Sequence, residues 1–181
     1  FDINETRIVQ LKSGHDVTRE CDGEELKAAE SLVCSSSLSD IRDAQIYIVT
    51  VPTPIDSVNR PDLRPLEAAS RTVGSVLKAG DIVIYESTVF PGATEEICIP
   101  ILEQESGLQL NKDFACGYSP ERINPGDKVN TLTKIKKITS GSNSEAADEI
   151  DGLYRSIIIA GTWKASSLKV AEAAKVIENS Q

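Results

Sequence analysis

The sequence predicts an α/β protein built on a doubly wound, mostly parallel sheet. Three observations predict it. Along 181 residues, short apolar β-branched runs alternate with stretches of helical period. The connections between them are short and marked by Pro and Gly, as in successive βαβ units. The apolar runs are continuous, the pattern of strands covered on both faces.

The elements follow in order. "FDIN" reads as the tail of a strand. "ETRIVQLKSG" has helical spacing through Ile8, Val9 and Leu11, with Gly14 as a stop. "GEELKAAESL" is a second helical run. Residues 44–52, "AQIYIVTVP", read as a strand buried on both faces. "DLRPLEAASRTVGSVLKAG" is a helix with Asp62 as N-cap and Gly80 as C-terminal stop. Residues 81–88, "DIVIYEST", form the next buried strand. "GATEEICIPILEQESG" is a helix bent at Pro100. "DFACGYS" and residues 134–141 are further strands. Asn143 or Ser144 caps "NSEAADEIDGLYRSI", and Ser166 or Ser167 opens the last helix, "SSLKVAEAAKVIENSQ". Right-handed crossovers would make the layers Rossmann-like. No interdomain linker is expected before about residue 160. The final helix is expected to lead toward a second domain.

Composition narrows the function. With 40% hydrophobic and 26% charged residues, the chain is ordinary for a globular protein. Lys plus Arg is 19 and Asp plus Glu is 28, a net charge of -9. That argues against nucleic acid and anionic membranes as partners, but not against a small anionic ligand held locally. No apolar run approaches the roughly 18–20 residues that span a bilayer. Cys21, Cys34, Cys98 and Cys116 form no CxxC pair and the chain has one His, so a zinc site is not expected and the thiols read as reduced. The chain lacks Met, begins "FDINETRI" and stops inside a helix. These features read as a segment of a longer protein.

Candidate functional residues gather at predicted strand ends. Asp2 stands where dinucleotide folds hold the adenosine ribose, with Arg7 one turn into the helix; alternatively Asp2 caps that helix. "VTVPTP" and "YESTVFPG" end two strands. They offer Pro52, Thr53, Ser87 and Thr88 to a crevice, and the helix after Gly92 offers an N-terminus to anionic groups. Ordinary turn chemistry by Ser and Thr is the other reading. "GYSPERINPGD" is a shaped loop carrying Glu121 and Arg122, which serve a ligand or form a surface ion pair. Glu172, Lys175 and Asn179 share one face of the last helix, opposite Val170, Ala173, Ala174 and Ile177. Lys175 is either partly desolvated and chemical, or part of a solvated face. His15 reads as surface and Trp163 as packing.

Five stretches, "FDIN", "VPTP", "ESTVFPGATEE", "YSPERINPGD" and "KVAEAAKVIEN", together resemble the UDP-glucose/GDP-mannose dehydrogenase family. "SPERINPGD" with "ESTVFPG" looks most like its bacterial branch acting on UDP-N-acetylhexosamines. The resemblance implies a two-step oxidation of a sugar C6 alcohol to a carboxylate, with two NAD+ reduced, for surface or capsular polysaccharide. Residues 1–163 would be the NAD-binding domain and 164–181 the start of a connecting helix. The family's glycine loop would precede Phe1, and its nucleophilic Cys would follow Gln181. The piece alone is therefore expected to be inactive. Asp2 and Arg7 would meet the adenosine end of NAD. Pro52, Thr53, Ser87 and Thr88 would line the NAD site, and Thr88 would also touch the catalytic water. Glu121 would help hydrolyse a thioester, Lys175 would stabilise an oxyanion, and Asn179 would help hold it and the substrate. Arg122, Ile123 and Asn124 would wrap the sugar nucleotide. The resemblance also implies a homodimer, and a cytoplasmic setting follows from the NAD and nucleotide-sugar supply. Pro125 stands where the UDP-glucose branch has a second acid, so that branch's sugar contacts do not transfer directly. UDP-glucose, UDP-N-acetylmannosamine, a related β-hydroxyacid dehydrogenase and a non-catalytic nucleotide-binding module are the alternatives.

Overall fold

The structure is a computed structural model describing residues 1–55, 60–122 and 132–179. The described residues form two compact units, one within residues 1–43 and one from residue 44 on.

In the first unit α1 (Glu5–Lys12) begins at Asn4, whose side chain accepts the amide of Arg7. Gly14, at φ +78°, ends the turn that follows. α2 (Gly23–Ala28) opens on a reciprocal cap: Asp22 accepts from the amides of Glu24 and Glu25, and Glu25 accepts from that of Asp22. It is shorter than its period suggests. None of its residues is buried, and an isolated helix without a packed face is not sustained. No strand forms at Phe1 among the described residues; Asp2 instead donates its amide to the Ser35 carbonyl at 3.0 Å.

The second unit holds the sheet. β1 (Ile46–Val49), β2 (Ile82–Tyr85) and β3 (Ala115–Tyr118) pair in parallel in that order, aligning Ile46, Ile82 and Ala115. The crossovers are α3 (Arg64–Gly74) and a π-turn, Thr94–Cys98, running into α4 (Ile99–Ser106). Beyond β3, β4 (Lys137–Thr139) pairs in parallel with β5 (Thr162–Lys164) across α5 (Ser144–Arg155). α6 (Leu168–Asn179) follows and packs on β3. β4 meets β3 antiparallel, through a bridge between Gly117 and Gly141 and the Ser142 amide on the Cys116 carbonyl at 2.7 Å. The described residues thus form a three-stranded and a two-stranded parallel sheet, joined at this antiparallel seam.

β2 shows why both faces are wound. Ile82 and Ile84 enter a core with Ala146, Ile150 and Tyr154 of α5. Tyr85 points the other way, its hydroxyl 2.7 Å from that of Ser70 on α3. A Cβ at Gly141 would lie 2.3 Å from the Ala147 amide nitrogen, so α5 rests directly on the seam's backbone.

Five details differ from expectation. β1 is not covered along its whole length: Ile46 packs against the core under α5, but Ile48 is 46% exposed, because β1 stands at the edge of the described ladder. Asp62 accepts from the Arg64 amide and guanidinium, but Leu63 is the formal cap. α3 stops at Gly74, and Gly80, at φ +92°, turns the chain into β2. The bend at Pro100 is a π-turn; proline lacks the N–H for the carbonyl four residues back, and the widened turn absorbs the mismatch. β5 was not foreseen, and its Trp163 is 50% exposed rather than packed.

Candidate active site

Pro52 and Pro54 deny β1 further ladder donors and end it. Ser87, buried just past β2, donates to the Val51 carbonyl at 2.6 Å, and Tyr118 at the end of β3 donates to the Ser87 carbonyl at 3.2 Å. The carboxyl ends of three parallel strands are laced together. The Ser87 hydroxyl therefore serves the scaffold, while Thr88 beside it is exposed. Thr53 Oγ1 is buried with no hydrogen-bond partner among the described residues. Leaving such a hydroxyl unpaired costs about 1–3 kcal/mol, so this atom calls for a ligand or a water. An unpaired hydroxyl at the carboxyl ends of a doubly wound sheet fits a dinucleotide.

Past β3, Glu121 accepts from the Arg122 amide at 2.6 Å, and its other carboxylate oxygen faces Lys137 at 3.7 Å. Lys137 is buried against Glu86, to which Tyr154 donates its hydroxyl. Burial, then the Glu86 charge, pushes the Tyr154 hydroxyl well up, so it stays a donor. Arg122 grips Glu178 of α6 with Nε at 2.9 Å and Nη2 at 2.6 Å, and donates from Nη1 to the Lys136 carbonyl at 2.7 Å. That hydrogen-bonded guanidinium holds the Glu178 carboxyl below its usual range, with Lys175 adding to the effect. Glu178 thereby joins the Glu121 loop to the helix carrying Lys175.

α6 is rotated away from the face expected to be apolar. Val170 and Ile177 are exposed, whereas Leu168, Ala171 and Glu172 are buried. Glu172 is 0% exposed and accepts from the amides of Gly92 at 2.5 Å and Thr94 at 3.0 Å. This corrects the expectation that the turn after Gly92 is open to a ligand's anionic group. An internal carboxylate already sits on those donors. It also removes Glu172 from any solvated face, while Lys175 on the same helix is half-buried.

In the first unit the cap is Asn4, and Asp2 instead accepts from the Asn4 amide at 2.8 Å. Arg7 is paired with Asp16, which is buried and also accepts from the amides of Thr18, Glu20 and Cys21. Despite the opposing cost of burial, these donors hold the Asp16 carboxyl well below the usual range.

Pro52, Thr53, Ser87, Thr88, Glu121, Arg122 and Lys175 therefore all belong to the second unit, and Asp2 and Arg7 to the first. Ile123, Asn124 and the side chain of Asn179 lie outside the described residues. Glu86, Lys137 and Tyr154 were not foreseen, because each acts through a partner distant in sequence; the role of Asp16 was missed although its partners lie within nine positions. Cys98 and Cys116 are buried and free, and burial pushes the Cys98 thiol up to about 12.

A profile of the UDP-glucose/GDP-mannose dehydrogenase family, NAD binding domain, matches residues 1–158. The UDP-N-acetyl-D-glucosamine 6-dehydrogenase of Pseudomonas aeruginosa is 61% identical over 100% of this chain and 43% of its own length. Protein CapL of Staphylococcus aureus is 54% identical over 100% of this chain and 42% of its own. Among solved structures, the UDP-D-ManNAc dehydrogenase of Pyrococcus horikoshii superposes with a TM-score of 0.88 at 33% identity, covering 98% of this chain and 43% of that one. The chain thus spans less than half the length of the curated relatives it matches. It belongs to the UDP-glucose/GDP-mannose dehydrogenase family, and the matched region is that family's NAD-binding domain.

Proposed function

We propose that the whole protein containing this chain oxidises the C6 alcohol of a UDP-N-acetylhexosamine to the carboxylate, reducing two NAD+, with UDP-N-acetylglucosamine as first choice. The observation that carries the reading is the tie through Glu178, which couples the Glu121 loop to the Lys175 helix at the carboxyl ends of the strands. Identity of 61% to a UDP-N-acetyl-D-glucosamine 6-dehydrogenase supports the sugar. In this reading NAD accepts hydride when bound. Thr53 and Thr88 line its site, and Asp2 and Arg7 serve its adenosine end. Glu121 takes a proton from the water that hydrolyses the acyl-enzyme, and Lys175 stabilises the oxyanion, with Asn179 beside it. Residues 1–163 act as the cofactor domain and 164–181 begin a connecting helix. The remaining length seen in the relatives supplies the sugar-binding half and the Cys. A homodimer and a cytoplasmic location belong to the same proposal.

The test follows NADH release by the full-length protein with UDP-GlcNAc, UDP-GalNAc, UDP-ManNAc and UDP-glucose. Two NADH per UDP-N-acetylhexosamine, lost in Glu121→Gln and Lys175→Ala, is the expected result. Turnover of UDP-glucose alone would refute the branch, and NAD binding without turnover of any sugar would refute the reaction.

A further inference from the structure

One buried ion has no part in that reading. Lys137 opens β4 with its side chain 3% exposed. Its Nζ lies 3.1 Å from Oε2 of Glu86, 3.7 Å from Oε2 of Glu121 and 5.3 Å from the centre of the Tyr154 ring. A buried ammonium persists only with partners that replace its water. Glu86, itself 11% exposed, meets that need, with Tyr154 donating to its second oxygen. Glu86 immediately follows β2 and Tyr154 lies on α5, so the ion is anchored from two elements besides its own.

The contact with Glu121 is of another kind. Glu121 is 41% exposed just past β3, and Lys137 already has its counter-ion without it. The ammonium stands behind one carboxylate oxygen while the Arg122 amide holds the other at 2.6 Å. A carboxylate hydrogen-bonded at one oxygen and faced by a cation at the other is biased toward one orientation, which proton transfer requires. Lysine suits the place because a compact point charge is held there by one carboxylate and one ring face.

We propose that Lys137 is a positioning residue for Glu121, fixing its carboxylate for hydrolysis of the acyl-enzyme. The proposal rests on the reading of Glu121 given above. In that step water oxygen bonds to the acyl carbon, the carbon–sulfur bond breaks and the thiolate leaves. The water's proton passes to Glu121, and the sugar departs as its acid.

The test uses the full-length protein with UDP-GlcNAc and NAD+ after rapid mixing. It reads the NADH burst, the steady-state rate and the intact mass of quenched enzyme. Lys137→Met is expected to leave the burst intact, slow the steady state about tenfold and accumulate the covalent adduct; Glu121→Gln does the same at about a hundredfold. Because Lys137→Met alone strands Glu86, the pair Glu86→Gln with Lys137→Met is measured too and is expected to show the same defect. Adding Lys137→Met to Glu121→Gln slows hydrolysis no further. An unaltered steady state in both Lys137→Met and the pair, beside a slow Glu121→Gln, overturns the proposal while leaving the function standing. Equal loss of burst and steady state overturns it as well, making Lys137 purely structural. If Glu121→Gln hydrolyses normally, the reading of Glu121 fails and the proposal fails with it.

Discussion

Replacing Glu172 should loosen the turn after Gly92 from the inside. Its carboxylate is fully buried and accepts two amides, at 2.5 Å from Gly92 and 3.0 Å from Thr94. A hydrogen bond to a charged group contributes about 1.5–3 kcal/mol. Glu172→Gln keeps one acceptor oxygen and turns an NH2 toward the other amide, so it should lose about one such bond, roughly 1.5–3 kcal/mol. Glu172→Ala strands both donors and should lose about twice that. The assay is native-state hydrogen exchange by mass spectrometry on the peptide spanning residues 90–99 of the full-length protein. At about 1.4 kcal/mol per tenfold, the Gln variant should speed exchange at one amide roughly ten- to a hundredfold, and the Ala variant should speed both further. Unchanged protection in Glu172→Ala would refute the reasoning, because the donors would then be satisfied by something other than this carboxylate.

Three further predictions follow from the same geometry. Gly141→Ala must push a Cβ to 2.3 Å from the Ala147 nitrogen, a backbone atom that cannot rotate away. The loss should be about 3 kcal/mol or more in denaturant titration, and near-native stability would refute the close approach. The Glu178 carboxyl is held below the ordinary glutamate value of 4.5, so its stabilising share is complete above that pH and is lost as pH falls through the lowered folded value. A carboxyl carbon NMR titration should place its midpoint under 4.5, and Arg122→Gln should move it back up. Alkylation at about pH 8 with peptide mapping should label exposed Cys21 and spare Cys98 and Cys116 until the protein is denatured.

The legible parts of the fold were those whose signals are local. β2 is apolar at all four positions because both its faces are covered, and Asn143 caps α5 as its side chain chemistry predicts. The motif residues past β1, β2 and β3 stood out because Pro and Gly stop strands where crevices open. Signals carried by distant partners were not legible. Lys137 in "KIKK" looks like surface charge until Glu86, 51 positions away, is seen beside it. Glu172 looked solvated because its amide partners lie 78 and 80 residues earlier, and serving them outweighs exposure of Val170 and Ile177. β5 is three residues long and half open, which leaves little period to read.

α6 is moored near both ends, by Glu172 to the turn after β2 and by Glu178 to the loop after β3. One mooring is a fully buried carboxylate on two backbone amides and the other an ion pair, so moving the helix off either uncovers a charge. The turn after Gly92 and the Glu121–Arg122 segment are thus fastened to one helix. A ligand that draws one of these segments inward is expected to shift the other through the same helix.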